Sequence, residues 1–74
     1  MIIKFSLFAS LRRYGQGAGE INLNTGATVE ELLHAAGIPA QEAQVILVNG
    51  IGVDKKHILQ DGDKVSLFPL IGGG

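Results

Sequence analysis

The clearest helical pattern in the chain lies in Thr28-Val29-Glu30-Glu31-Leu32-Leu33-His34-Ala35-Ala36-Gly37. Its apolar residues recur at the i, i+3, i+4 and i+7 spacing of one helix face: Val29, Leu32, Leu33 and Ala36. Thr28 with Glu31 three residues later forms a capping box, and Gly37 is a natural C-terminal cap. We therefore predict a helix over Thr28–Ala36 whose single apolar stripe must be buried against another layer of structure.

Four other segments have strand patterns. Apolar and polar residues alternate with period two in Ile2–Phe8, Glu20–Asn24 and Lys64–Phe68, which is typical of half-buried strands. Val45–Val48 is a continuous aliphatic run, which is consistent with a buried strand. These four segments are the predicted body of a sheet.

Turn signals and short connectors separate these segments. The Asn49-Gly50 pair predicts a tight turn into a short return strand over Ile51–Val53. Ala9–Tyr14 is too short for a stable isolated helix, so we predict one turn or a connector there. The glycine-rich stretch Gly15–Gly19 predicts a mobile loop. Because this connection is short, the first two strands are expected to pair antiparallel.

The order strand, strand, helix, strand, short strand, strand defines an α+β protein. Several α+β folds share this order, and the β-grasp, with a mixed sheet of four to five strands packed on one main helix, is the most economical of them. The 74 residues suffice for one domain, so we predict a single β-grasp domain over residues 1–74 with a flexible Gly-Gly tail at residues 70–74. Since the chain has no cysteine, an apolar core must supply the stability.

Composition and charge narrow the partners of the protein. The net charge of −1 lacks the basic excess that is usual in nucleic-acid-binding domains. The sequence has no apolar run long enough to cross a bilayer and no visible secretion signal. We therefore expect a soluble cytoplasmic protein that binds neither nucleic acid nor a membrane.

Conventional catalytic motifs are missing from the sequence. It has no cysteine nucleophile, no phosphate-binding Gly-x-x-x-x-Gly-Lys loop, and no serine with a histidine and an acid nearby in sequence. His34 and His57 are expected at the solvated surface. Asp54, Asp61 and Asp63 are expected as a loop acid and turn formers, which argues against a metal site. The sequence does not predict a self-sufficient enzyme.

The end of the chain offers chemistry of another kind, because its last residues are Gly72, Gly73 and Gly74. Without Cβ atoms, a Gly-Gly end adopts unusual dihedrals and fits a channel too narrow for side chains. Its carboxylate is a poor electrophile, but joining it to AMP gives a mixed anhydride that accepts sulfur or an amine. A partner would have to perform this activation, since the chain has no nucleotide site. A frayed terminus, or a leftover of cloning or truncation, is the alternative interpretation.

Two aromatic residues form a candidate docking patch. In a β-grasp sheet the first and last strands lie side by side and parallel, with Phe8 and Phe68 at their ends. By alternation, both rings point away from the face that holds Ile3, Phe5, Leu7, Val65 and Leu67. The two rings would then lie together on the open face, beside the start of the tail. The alternatives are a loop that covers them or a different register.

Five stretches together resemble the MoaD/ThiS sulfur carriers, whose fold is the ubiquitin-like β-grasp. They are Phe5–Arg12, Ala27–Leu33, Val48–Gly50, Leu59–Val65 and Phe68–Gly74. The first resembles the opening strand and Phe-Ala-x-Leu-Arg segment of molybdopterin-synthase small subunits, and the fourth contains an Asp-Gly-Asp turn. The departures are Leu70 in place of a frequent second proline and Gly72 in place of a frequent Ala or Ser. The pair Leu11-Arg12 favours the molybdopterin branch over the ThiS branch, which supplies sulfur for the thiazole of thiamine.

This resemblance implies a reaction cycle and a set of partners. A ubiquitin-activating-like adenylyltransferase that uses ATP adenylates Gly74, a sulfur donor converts it to a thiocarboxylate, and the large subunit of molybdopterin synthase receives the tail. The carrier itself binds no cofactor and is the non-catalytic, sulfur-donating subunit. Gly73 and Gly74 map onto the functional glycine pair of the family. The expected partner-binding residues are Phe8, Phe68, Pro69, Leu70, Ile71 and Gly72. Two other hypotheses for the function are a protein modifier that is conjugated through Gly74 and a plain binding domain.

Overall fold

A computed structural model describes residues 1–15 and 17–70 of the chain. It contains one α-helix, α1, over Val29–Ala35, and 3-10 helices over Ala9–Tyr14 and Ala40–Glu42. The strands are β1 (Ile2–Leu7), β2 (Ala18–Asn22), β3 (Val45–Val48), β4 (Ile51–Val53) and β5 (Lys64–Phe68).

The five strands form one mixed sheet in the order β2-β1-β5-β3-β4. β1 and β5 are parallel neighbours at its centre, with Leu7 opposite Leu67. The other three pairings are antiparallel, including the predicted pairing of β1 with β2. The predicted α+β class and β-grasp arrangement are therefore confirmed.

The helix begins and ends by the predicted signals. The Thr28 hydroxyl accepts a hydrogen bond from the Glu31 amide at 3.3 Å, which is one half of the predicted capping box. At the other end, the Gly37 amide donates to the His34 carbonyl and the Ile38 amide donates to the Leu33 carbonyl, which together form a Schellman motif. Gly37 has a φ of 74°, a left-handed conformation that glycine adopts without strain.

The core lies between α1 and one face of the sheet. Its central strands contribute Ile3, Leu7, Val65 and Leu67, and the helix contributes Val29, Leu32 and Leu33; none of these is more than 1% exposed. Burying one such side chain contributes about 1.5–3 kcal/mol to the free energy of folding. One helix covers one face of the sheet, so the opposite face is left open.

Two strand boundaries differ from the prediction. β1 ends at Leu7, because the chain turns at Ala9 (φ 53°) into the first 3-10 helix. β2 runs over Ala18–Asn22, two residues before the predicted Glu20–Asn24. Gly19 belongs to this strand because it pairs with Phe5, whose ring lies over it.

The segment Ala9–Tyr14 is more ordered than the predicted single turn. It forms a six-residue 3-10 helix, and Leu11 is completely buried in the core. Arg13 and Tyr14 from its end both donate hydrogen bonds to the Glu42 carboxylate in the second 3-10 helix. Burial of Leu11 and this three-residue contact explain why so short a segment holds one conformation.

Candidate functional site

Phe8 and Phe68 stack on the open face of the sheet. Their ring centroids are 4.4 Å apart and the ring planes differ by 13°. The contact follows from the register, because Leu7 pairs with Leu67 and the Phe8 amide donates to the Leu67 carbonyl at 3.1 Å. The next residue of each strand therefore stands on the opposite face, at the same level. The predicted juxtaposition of the two rings is confirmed.

The exposure of these residues suits a contact surface. Both rings are half-buried, as is Pro69, and the side chain of Leu70 is 69% exposed. Ile71, Gly72, Gly73 and Gly74, which the sequence assigns to the tail, lie outside the described residues. Phe68, Pro69 and Leu70 therefore carry an apolar surface up to the last described residue of the chain.

Two residues that the sequence interpretation missed extend this surface. Val45 of β3 pairs with Phe68 of β5 and is 43% exposed. Leu47, two residues further along β3, lies on the same face and is half-buried. The prediction that Val45–Val48 is a buried strand is therefore wrong for one of its two faces. The strand is aliphatic on both faces, although only the face with Ile46 and Val48 packs on the core.

These residues form what we call the aromatic patch, which consists of Phe8, Val45, Leu47, Phe68, Pro69 and Leu70. Five of them line a shallow groove of about 440 Å³: Val45, Leu47, Phe68, Pro69 and Leu70. The sequence contained a signal for the two missed residues. An aliphatic run that alternates across a sheet with only one covering helix must place half of its side chains on the open face.

The open face changes from apolar to polar along β1 and β5. Next to the aromatic pair, Ser6 lies opposite Ser66, and two residues further Lys4 lies opposite Lys64. Glu20 of β2 pairs with Lys4 on its other side. Together these strands line a shallow groove of about 540 Å³.

The remaining polar residues of the sequence analysis have structural positions. His34 is exposed on the helix, as expected, whereas His57 is half-buried, and its backbone carbonyl accepts a hydrogen bond from the first amide of α1. Asp54 accepts from the Lys56 amide and Asp61 from the Ile2 amide, both at the ends of turns. Asp63 is buried and accepts hydrogen bonds from two neighbours.

The strongest electrostatic perturbation lies at the contact between the two 3-10 helices. Hydrogen bonds from Tyr14, and then from Arg13, lower the pKa of the Glu42 carboxyl below its usual value of 4.5. The hydrogen bond with Tyr14 and the contact with Glu42 raise the pKa of Arg13. The contact of Arg13 and Tyr14 with Glu42 joins the connector that follows β1 to the connector that precedes β3.

The described residues offer a binding surface: an apolar patch followed by the segment that carries the terminal glycines. A sequence model of the ThiS family matches residues 5–74. The chain belongs to the ThiS family. The match includes the three final glycines.

Solved structures similar to this member of the ThiS family come from archaea and bacteria. SAMP1 from Haloferax volcanii is 26% identical, with 100% of each chain covered and a TM-score of 0.80. A Pyrococcus furiosus protein described as molybdopterin converting factor, subunit 1, is 30% identical, with 95% of this chain and 98% of that chain covered and a TM-score of 0.77. These similarities confirm the ubiquitin-like β-grasp.

A third structure shares the fold at lower identity. It is a protein–protein complex of subunits 1 and 2 of the molybdopterin-converting factor from Helicobacter pylori, with 24% identity, 100% of each chain covered and a TM-score of 0.64. A search of curated protein sequences gives no match. Within residues 1–15 and 17–70, no helix is long and apolar enough to cross a membrane.

Proposed function

We propose that this protein is a sulfur carrier that acts as the small subunit of a molybdopterin synthase in the cytoplasm. The observation that carries the proposal is the family match through residue 74, on a chain that ends in three glycines behind an exposed apolar patch. In this proposal Gly74 bears the reactive carboxylate and Gly73 precedes it in the partner's channel. The glycines suit that channel because they carry no side chain.

The proposed cycle has three steps, each with its own leaving group. An activating enzyme transfers AMP from ATP to the Gly74 carboxylate and releases pyrophosphate. A donor that supplies sulfur at the oxidation level of sulfide then displaces AMP and leaves a thiocarboxylate. Its sulfur finally attacks a carbon of the pterin precursor and displaces an oxygen leaving group from it, and water then cleaves the acyl–sulfur bond, which regenerates the carboxylate. A dithiolene needs two sulfur atoms, and therefore two deliveries.

The aromatic patch has the role of a docking surface in this proposal. Binding of the patch to the large subunit would fix the body of the carrier, so that the tail beyond Leu70 enters the active site. The activating enzyme would bind the same surface, because it must reach the same carboxylate. The apolar character of Phe8 and Phe68 and the exposure of Leu70 support this role.

Two observations support the molybdopterin precursor as the acceptor. The first is the 30% identity with the Pyrococcus furiosus protein described as subunit 1 of a molybdopterin converting factor. The second is the Leu11-Arg12 pair: Leu11 belongs to the core, whereas Arg12 is exposed and available for recognition. Delivery of sulfur for a thiazole, as in the branch that gives the family its name, is the alternative within the same chemistry.

A second candidate function is protein modification. Haloferax volcanii SAMP1, which is described as a small archaeal modifier protein, covers the same length as this chain and has a TM-score of 0.80. The same acyl adenylate could pass the Gly74 acyl group to a lysine amine and release AMP. The product would be an isopeptide-linked conjugate in place of a thiocarboxylate.

The deciding experiment is the intact mass of the protein isolated from its own cells, before and after mild alkylation. Because the chain has no cysteine, a form with one oxygen replaced by sulfur that reacts with the alkylating reagent identifies a thiocarboxylate. We expect this form in the wild type and expect it to be absent when Gly74 is deleted. Normal sulfur transfer by the deletion variant would contradict the proposal.

The modifier hypothesis predicts a different result from the same cells. A tagged chain would give a ladder of higher-mass species on denaturing gels that survives reducing agent. Deletion of Gly74 would remove the ladder. A ladder without any sulfur-bearing form would favour modification over sulfur transfer.

A further inference from the structure

Lys4 and Lys64 form a cationic pair on the open face, in line with the aromatic patch. The parallel register places them directly opposite each other on adjacent strands, which lie roughly 4.8 Å apart. Both side chains are exposed, and neither forms an ion pair within the part of the chain that the structure describes. Like charges placed directly opposite each other destabilise a sheet. The contact between the two lysines therefore does not stabilise the fold.

Within residues 1–15 and 17–70, no carboxylate forms a salt bridge with either lysine. Asp61 accepts a hydrogen bond from the Ile2 amide, and the buried Asp63 is bonded to Asn49 and Gln60. Glu20 lies across from Lys4 and offsets one of the two positive charges. The two ammonium groups therefore lie in a groove that Ser6 and Ser66 also line, with no salt-bridge partner among the described residues.

We propose that Lys4 and Lys64 bind carboxylate side chains of the large subunit that docks on the aromatic patch. This inference rests on the proposed function, because it assigns a chemistry to the same docking partner. Phe8, which directly follows β1, lies four positions after Lys4. At the rise per residue of a parallel strand, this offset is roughly 13 Å. The partner thus carries Asp or Glu residues at about that distance from the apolar side chains that cover Phe8 and Phe68.

The charges and the patch have separate functions in this arrangement. Apolar burial on the aromatic patch supplies most of the affinity, whereas the lysines increase the rate of encounter and orient the carrier on its partner. Correct orientation matters because the tail must enter a channel on one side of the docking surface. The two lysines are continuous with the patch on one face, so one partner surface can contact both.

The test compares two double variants with equal loss of charge. Lys4→Gln/Lys64→Gln removes the pair, and Lys55→Gln/Lys56→Gln removes two lysines that lie in the turn after β4, beside the start of the helix. Binding of each to the purified molybdopterin-synthase large subunit of the source cell is measured at low and moderate salt. We expect Lys4→Gln/Lys64→Gln to weaken binding roughly 3- to 30-fold, mainly through slower association and with less salt dependence.

The matched control should bind within about twofold of the wild type. Lys4→Gln/Lys64→Gln should melt close to the wild type, because relief of the Lys4–Lys64 repulsion offsets the lost attraction between Lys4 and Glu20. An unchanged melting temperature separates a binding role from a structural one. Equal affinity of the two double variants would overturn the inference while leaving the proposed function intact. If the wild type binds neither the large subunit nor the activating enzyme, both the inference and the proposed function fail.

A zero-length cross-link identifies the contacting groups. Carbodiimide treatment of the complex joins an amine to a touching carboxylate with loss of water. We expect the partner's Asp or Glu residues to be linked to Lys4 or Lys64. Links that involve only Lys55 or Lys56, or self-association of the carrier that disappears in Lys4→Gln/Lys64→Gln, would overturn the inference.

Discussion

Phe8 and Phe68 are 60 residues apart in sequence, yet their rings stack 4.4 Å apart on the open face of the sheet. The stacking is a direct result of the parallel pairing of β1 and β5. The same strands place Ile3, Leu7, Val65 and Leu67 on the other face, under the helix. One strand pair therefore builds the core on one side and the candidate docking surface on the other.

The first prediction concerns this surface. Phe68→Ala should weaken binding to the large subunit by about 30-fold or more, the loss expected for an aromatic hot spot of 2 kcal/mol. The stacked ring also contributes to folding, so the free energy of unfolding should fall by about 1–2 kcal/mol. Calorimetric titration measures the first effect, and urea denaturation measures the second.

A second variant keeps this prediction testable if Phe68→Ala folds poorly. Leu70→Ser changes a side chain that is 69% exposed, so we expect weaker binding with no measurable loss of stability. Ile58→Ala is the matched control, since Ile58 is 60% exposed but pairs with Thr28 at the start of the helix. Equal binding by all three variants would show that the patch is not the docking surface.

The sequence predicted most of the fold because its strong signals are local. The strands β3, β4 and β5 have the predicted bounds, since the Asn49-Gly50 turn and Pro69 mark their ends chemically. Asn49 and Gly50 have φ angles of 53° and 83°, as the expected hairpin turn requires. The parallel neighbours β1 and β5, and with them the Phe8–Phe68 contact, followed from the order of the elements.

The errors in the predicted strand bounds and burial came from contacts between segments that are far apart in sequence. Ala18 and Gly19 have the composition of a loop, but pairing with β1 makes them part of a strand. Val45 and Leu47 look like core residues, and their exposure depends on what covers the other face of the sheet. The contact of Glu42 with Arg13 and Tyr14 joins two connectors that are far apart in sequence.

The second prediction concerns the buried carboxylate of the Asp-Gly-Asp turn. Asp63 accepts a 2.9 Å hydrogen bond from the Asn49 side-chain amide and a 2.8 Å bond from the Gln60 amide, and the Asn49 side-chain oxygen accepts from the Lys64 amide. Asn49→Ala would remove one partner of a buried charge and place alanine at a positive φ. We expect a loss of about 2–4 kcal/mol in the free energy of unfolding.

Asn49→Gly separates the two causes of this loss. Glycine removes the same hydrogen bonds but tolerates the positive φ, so the loss should be smaller, at about 1–3 kcal/mol. Asn24→Ala is the control on an exposed asparagine. Urea denaturation of the three variants measures the differences, and an Asn49→Ala variant as stable as Asn24→Ala would contradict the assignment.

The third prediction concerns the close packing of Phe5 on Gly19. A Cβ atom at Gly19 would lie 2.8 Å from the Cζ atom of Phe5, which is too close for the ring to stay in place. Because the half-buried ring must move to relieve this contact, Gly19→Ala should destabilise the protein by about 1–2 kcal/mol. Gly52→Ala, whose new Cβ would lie 3.9 Å from Leu47, should be neutral or slightly stabilising.

A double variant identifies the cause. Phe5→Leu shortens the side chain over Gly19, so Phe5→Leu/Gly19→Ala should be more stable than the sum of the two single changes predicts. Denaturation of the four proteins in this cycle measures the coupling free energy. Strict additivity would show that steric contact with Phe5 is not the reason.

The last prediction concerns the pH dependence of the contact between the two 3-10 helices. Hydrogen bonds from Tyr14 and Arg13 lower the pKa of Glu42 in the folded protein below its ordinary value of 4.5. The stabilisation is therefore fully present above the ordinary pKa and is lost as the pH falls through the lower, folded-state pKa. Glu42→Gln should be less stable than the wild type at neutral pH, and the difference should shrink in acid. Tyr14→Phe should reduce the pH dependence more than Arg13→Gln, since the bond from Tyr14 is the larger cause. Melting curves across this pH range test both statements, and a gap between wild type and Glu42→Gln that stays constant into acid would contradict them.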